Sequence, residues 1–134
     1  MRVWRVILGA TDVVPQPGEP PIPAIQHVAF VAARSADRIP QVLASDPDLG
    51  PSMRDHIPQV MEELPTDLPL WTAKIGPHPN AATLFSCVPA TTREMVRDIL
   101  IARVAESEEL VAWIRNGWFA VNPRPIDLSM EGVW

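Results

Sequence analysis

Sixteen prolines restrict where regular structure can form in this chain of 134 residues. Because proline has no N–H to donate, it fits the first turn of a helix but interrupts helix interiors and central strands. The stretch PQPGEPPIP at residues 15–23 therefore predicts an extended, stiff loop. The apolar runs on either side, at residues 3–8 and 24–33, predict two strands that are buried on both faces.

A nearly repeated hexapeptide follows these strands. DRIPQV occupies residues 37–42 and DHIPQV occupies residues 55–60, so that Arg38 in one copy is replaced by His56 in the other. The Asp that opens each copy can cap exposed backbone N–H groups, and the proline suits a first helical turn. Apolar residues after each proline fall at helical spacing, and a further proline ends each stretch. The repeat therefore predicts two short helices, and two copies are too few for a solenoid.

The C-terminal half alternates strand-like and helix-like patterns. Residues 69–76 and 82–88 predict two strands joined by the turn GPHPN. Residues 91–94 fit a capping box, which predicts the start of one long helix over residues 92–116. Ser107 lies in the apolar stripe of this helix, so that a bend or a second cap there is an alternative. The other members of the stripe are Val96, Leu100, Val104, Val111 and Ile114.

With a further strand in WFAVNP and an extended tail, these elements give the order β-β-α-α-β-β-α-β-β. This order is typical of a single α+β domain, which we expect to span residues 1–134. We expect a mixed or antiparallel sheet covered by one long C-terminal helix. Residues 37–70 would form an acidic insertion of two short helices between two pairs of strands, and residues 122–134 would form the C-terminal extended tail.

The tail PIDLSMEGVW, residues 125–134, alternates apolar and polar side chains with a period of two. Ile126, Leu128 and Met130 are expected on one face, with polar residues on the other. Because a strand must pair its backbone, we expect the tail to reach an edge strand, either of its own sheet or of a neighbouring chain. Trp134 would anchor this contact, and in the second case the tail would hold a homo-oligomer together.

Negative charge is concentrated in one part of the sequence. Residues 37–70 contain seven acidic residues against Arg38 and Arg54, a net charge of −5 that equals the net charge of the whole chain. Binding of nucleic acid is disfavoured, because contact with phosphate requires a basic face. The segment is then either a solvated surface or a surface that docks on a basic protein partner. On the second interpretation, we expect the partner to contact Asp46, Asp48, Glu62 and Glu63.

Signatures of catalysis and of cofactor binding are missing from the sequence. It contains no glycine-rich phosphate loop, no nucleophile elbow and no zinc-ligand pairing, so that we expect neither a cofactor nor a metal. His27, Cys87 and a nearby carboxylate would form a nucleophilic site if the fold brought them together. We instead expect Cys87 to be a small buried hydrophobe and His27 to lie at the edge of the core.

Localisation is predicted from the cysteine content and the apolar runs. The single cysteine excludes an internal disulfide and agrees with a reducing compartment. No apolar run approaches the roughly 18 residues that a membrane span needs. The apolar start is short and is followed by Asp12, so we interpret it as a first strand and not as a secretion signal. The sequence therefore predicts a cytoplasmic protein that makes no contact with the membrane.

The leading hypothesis is a small, non-enzymatic interaction protein. It would be an assembly subunit or an inhibitor, of phage or mobile-element origin, that docks on a basic partner through its acidic helical segment. The alternative is a small enzyme or ligand-binding domain that uses His27, Cys87 and a nearby carboxylate. The reactivity of the Cys87 thiol separates the two hypotheses, because a buried structural thiol is inert to alkylating reagents.

Overall fold

The computed structural model describes residues 1–10, 17–18, 26–47 and 56–134. The chain divides into two compact units, one formed by Met1–Leu64 with Leu128–Trp134 and the other by Pro65–Asp127. In chain order, the described elements are β1 (Arg2–Ala10), β2 (Gln26–Ala33), a 3₁₀ turn (Ala36–Arg38), α1 (Ile39–Ser45), β3 (His56–Leu64), β4 (Leu70–Gly76), β5 (Leu84–Pro89), α2 (Met95–Arg103), α3 (Glu108–Asn116), β6 (Trp118–Val121) and β7 (Gly132–Val133).

The α+β composition is confirmed, but the predicted architecture is wrong. Two antiparallel sheets are present where we expected one, and the three helices of the described residues are all short. Neither the long C-terminal helix nor the acidic insertion of two helices is found among these elements. The expectation of a single domain over residues 1–134 stays a prediction.

The first unit contains a four-stranded sheet in the order β3-β1-β2-β7, with every pair antiparallel. Alternate residues of β1 and β2 face α1, which covers this side of the sheet. The other face of the same two strands also buries apolar side chains, among them Val3 and Phe30. The core under α1 consists of Trp4, Val6, Leu8, Ala29, Val31, Ala33, Ile39, Val42 and Leu43.

The two copies of the hexapeptide adopt different structures. DRIPQV forms the end of the 3₁₀ turn and the start of α1, and its apolar residues Ile39 and Val42 are buried in the core. DHIPQV instead leads into β3, which pairs with β1. The register of this pair shifts between Ile7 and Leu8, where Pro58 is accommodated in an outer strand. The prediction of a second helix is therefore wrong.

The physical reason lies in the strand that the second copy meets. A short apolar run with a helical stripe is also compatible with a strand, and sequence periodicity alone does not decide between them. The second edge of β1 is filled by β3, so that Glu62 lies directly opposite Arg5. Cross-strand pairs of opposite charge stabilise that register. Contacts that are distant in sequence thus override a local helical pattern.

The second unit contains a three-stranded antiparallel sheet in the order β5-β4-β6. Two of its strands, β4 and β5, confirm the predicted pair around the GPHPN turn. Both α2 and α3 belong to this unit, and each contributes to one core with the sheet. The buried core consists of Trp71, Ala73, Ile75, Val88, Ala90, Val96, Leu100 and Ile114.

The predicted long helix is interrupted at Ser107. The hydroxyl of Ser107 accepts a hydrogen bond of 3.3 Å from the N–H of Leu110 and thereby caps α3. A start at this point places Glu108 and Glu109 in the first turn, where the helix dipole favours negative charge. The predicted capping box is also wrong, because α2 begins at Met95 without a side-chain capping bond.

The C-terminal tail is a strand only at its end. Ile126 is buried and donates its N–H to the carbonyl of Leu70 at 2.8 Å, whereas Leu128 and Met130 are exposed. The regular alternation of residues 126–131 therefore does not form a strand. Within the first unit, β7 pairs with β2, so that the tail reaches an edge of its own chain.

The cap at Ser107 makes a direct prediction for stability. Replacement Ser107→Ala removes the acceptor for the N–H of Leu110 and should lower the free energy of unfolding by about 0.5–2 kcal/mol in urea denaturation followed by circular dichroism. Ser107→Asp keeps an acceptor and should retain most of the stability. Equal losses for both variants would show that the cap does not hold the start of α3.

Candidate functional site

The two glutamates of the predicted acidic surface lie on β3, the outermost strand of the first sheet. Glu62 is 3.9 Å from Arg5, and Glu63 is 3.5 Å from Arg2, measured between the charged groups. Both carboxylates remain more than half exposed, with relative accessibilities of 62% and 51%. Exposed ion pairs of this kind contribute about 0–1 kcal/mol, and they leave the carboxylates open to other cations.

Successive residues of a strand point to opposite faces, so Glu62 and Glu63 place a carboxylate on each side of the β3 edge. The neighbouring Met61 is also about half exposed. Charged residues and Pro58 are features that protect outer strands from indiscriminate pairing. Eight of the nine residues of β3 pair with β1, and no other described strand pairs with β3, so this outer strand is acidic on both faces.

The remaining acidic candidates do not lie on this strand. Asp46 follows α1 directly and donates its N–H to the carbonyl of Leu43 at 3.2 Å. Asp48 falls outside the described residues. The predicted acidic helical segment is therefore wrong as a structural unit, because its described candidates are divided between the end of α1 and the strand β3.

A groove of about 460 Å³ lies between α1 and β7 in the first unit. Its wall contains an ion pair in which Arg38 donates to Glu131 at 2.8 Å and 3.3 Å. The N–H of Arg34 donates to the same carboxylate at 3.3 Å. These hydrogen bonds hold the pKa of Glu131 below its usual range. No local pattern predicts this contact, because its two partners are 93 residues apart in the sequence.

Trp134, the predicted anchor of the tail, is bound within its own chain. Its N–H donates to the carbonyl of Phe30 at 2.8 Å, and its carbonyl accepts from the N–H of Phe30 at 3.2 Å. The Trp134 ring lies over Gly132, where a Cβ would come within 3.0 Å of it. A side chain at position 132 would therefore displace the ring, and glycine suits this place. Contact of Trp134 with a second protein stays a prediction.

Cys87 has the properties of a structural thiol. It lies in β5 with 8% of its surface exposed, and Arg103 donates to its backbone carbonyl at 3.1 Å. Burial raises the pKa of the thiol to about 12, against a smaller opposite effect of the Arg103 charge. His27 belongs to β2, and its side chain falls outside the described residues. A thiol with this pKa is protonated at neutral pH, which argues against a nucleophilic site.

No protein-family model, curated protein or solved structure shows significant similarity to this chain. None of the helices in the described part of the chain is long and apolar enough to span a membrane. Among the described side chains, no group of three or more His, Cys, Asp or Glu residues is arranged to hold a metal ion. Among the described residues of the first unit, the two candidate features are the acidic strand β3 and the tail that pairs with β2 at the opposite edge.

The burial of Cys87 predicts slow alkylation. At pH 8 the native thiol should react with iodoacetamide on the order of a thousand times more slowly than the thiol of the urea-unfolded chain, because reaction requires the thiolate. The measurement is the rate of mass increase of the intact protein with and without urea. Native and unfolded rates within a factor of about ten would instead indicate an activated thiol and support the enzymatic alternative.

Proposed function

We propose that this chain is a small, non-enzymatic protein-interaction protein, acting as an assembly subunit or an inhibitor, that binds a partner with a basic surface. The observation that carries the proposal is the position of β3. This nine-residue strand is the outermost strand of its sheet, and two of its glutamates stay more than half exposed. Cys87 gives no support to a catalytic alternative, because its thiol is buried and its pKa is raised. The single cysteine supports a reducing compartment, and we propose the cytoplasm.

The edge suits the addition of an extended strand from the partner. In this mode, main-chain hydrogen bonds to the outer strand provide affinity, and side chains at alternate positions provide specificity. Because Glu62 and Glu63 point to opposite faces, two successive basic residues of the incoming strand would each meet a carboxylate. Opposite charges also speed and orient the encounter, whereas an acidic strand would be repelled.

We also propose that the chain self-associates through its C-terminal tail. The structure pairs β7 with β2 of the same chain, and a second copy carries the same tail and the same edge. This supports self-association, because exchange of one element between identical chains needs no new type of contact. The acidic edge of β3 lies at the opposite side of the sheet from β7, so that binding of a basic partner does not require the tail to leave.

Peptide binding followed by NMR tests the β3 surface. The probe is a short synthetic peptide in which two successive lysines are flanked by threonine and valine, added to ¹⁵N-labelled protein at low salt. We expect amide shift changes along β3, and Glu62→Gln with Glu63→Gln should weaken binding about two- to thirtyfold, from two cross-strand charge pairs of ~0.2–1 kcal/mol each. Added salt should reduce the difference between this variant and the unchanged chain.

The matched control is Glu108→Gln with Glu109→Gln, which removes two adjacent exposed glutamates from α3. It changes the net charge equally, so a general charge effect would weaken peptide binding to the same extent in both double variants. The same peptide with glutamate in place of lysine should not bind. Shift changes confined to residues outside β3, or equal weakening by the control variant, would contradict the proposed surface.

A further inference from the structure

The contacts described for residues 131–134 come from β2 and from Arg34 and Arg38, in a distant region of the chain. Backbone bonds join Trp134 to Phe30, and β7 pairs with Val31 and Ala32. The carboxylate of Glu131 is held by the guanidinium of Arg38 and by the N–H of Arg34. None of these contacts depends on the covalent connection between the tail and the rest of the chain. Each could equally be made by the tail of another copy.

The segment before these contacts has the features of a hinge. Ile126 is fixed on one side of it, buried and bonded through its N–H to the carbonyl of Leu70 at 2.8 Å. Glu131 is fixed on the other side by Arg38. The four residues 127–130 between these points include Leu128 and Met130, whose side chains are 38% and 60% exposed. A short connection between two fixed points is the kind of segment at which elements exchange between chains.

The β2 edge can receive this strand from either chain. In the described part of the chain, the tail pairs with three of its eight residues, Phe30, Val31 and Ala32. Arg38 lies beside the same edge, and its guanidinium donates to the carboxylate of Glu131 and to the side-chain oxygen of Gln41. The specificity of the contact therefore depends on the pair formed by Arg38 and Glu131.

We infer, as a more specific form of the proposed self-association on which it rests, that residues 128–134 exchange between two copies of this chain. In the exchanged dimer, β7 of each copy pairs with β2 of the other, and Glu131 of each binds Arg38 of the other. The two forms contain the same tail contacts. The closed monomer is favoured at low concentration, because a short connection gives the tail an effective concentration on the order of millimolar.

Reversing one charge of the pair formed by Arg38 and Glu131 distinguishes exchange of the tail between two chains from closure of the tail within one chain. In Arg38→Glu two carboxylates face each other, and in Glu131→Arg two guanidinium groups do, so repulsion disfavours closure of the tail within each variant and exchange between identical variants. In an equal mixture, the tail of each variant finds the opposite charge on the other chain. We expect light scattering after size exclusion to give the mass of one chain for each variant alone and twice that mass for the mixture.

The control is the double variant Arg38→Glu with Glu131→Arg, which restores an ion pair within one chain and should keep the mass of one chain at micromolar concentration. Circular dichroism of each variant checks that both sheets are retained. A mixture that stays at the mass of one chain would overturn the exchange. Dimers of either variant alone, as abundant as in the mixture, would support self-association through another surface and likewise overturn the exchange.

If the unchanged chain also keeps the mass of one chain at millimolar concentration, self-association itself fails. A dimer of the unchanged chain without a dimer in the mixture overturns only the exchange, so that the two failures are distinguishable. Neither result affects the proposed binding of a basic partner at β3, because that surface lies at the other edge of the sheet.

Discussion

The pairing of β1 along both of its edges is the constraint on which the first unit depends. On one side β1 pairs with β2, and on the other it pairs with β3, so that its residues are central in the sheet. Together with β1, the strand β2 provides the surface that α1 covers, and β3 becomes an outer strand. Arg2 and Arg5 of β1 lie close to the glutamates of β3 and stabilise its register. The hexapeptide that precedes those glutamates is consequently drawn into a strand.

The elements that could be predicted from the sequence are those determined by local pattern. The apolar runs of β1 and β2 and the two runs around GPHPN indicated strands correctly. The second hexapeptide was wrongly predicted to be a helix, because Ile57, Val60 and Met61 fit a helical stripe, whereas its structure depends on pairing with β1, a strand distant in sequence. Ser107 was a local signal for a second cap, and the structure shows that it ends the long helical pattern.

The candidate site was only partly accessible to the same reasoning. The net charge identified Glu62 and Glu63, but their position on the outermost strand follows from pairing that the sequence does not contain. The ion pair of Glu131 with Arg38 joins residues in different parts of the sequence, and no periodicity signals such a contact. The acidic excess is also less free than composition suggests, because arginines from β1 lie beside both glutamates of β3. The proposed function therefore depends on the edge that β3 presents and on the tail at the other edge, more than on charge alone.

The conformation of the two hexapeptides is the central claim, because without a strand at residues 56–64 there is no acidic edge. The most direct measurement is the set of ¹³Cα secondary chemical shifts of the labelled protein in solution. Positive values are expected for α1, Ile39–Ser45, and negative values for β3, His56–Leu64. Positive values along both segments would show that both copies are helical, and they would contradict the fold of the first unit and the binding surface proposed on it.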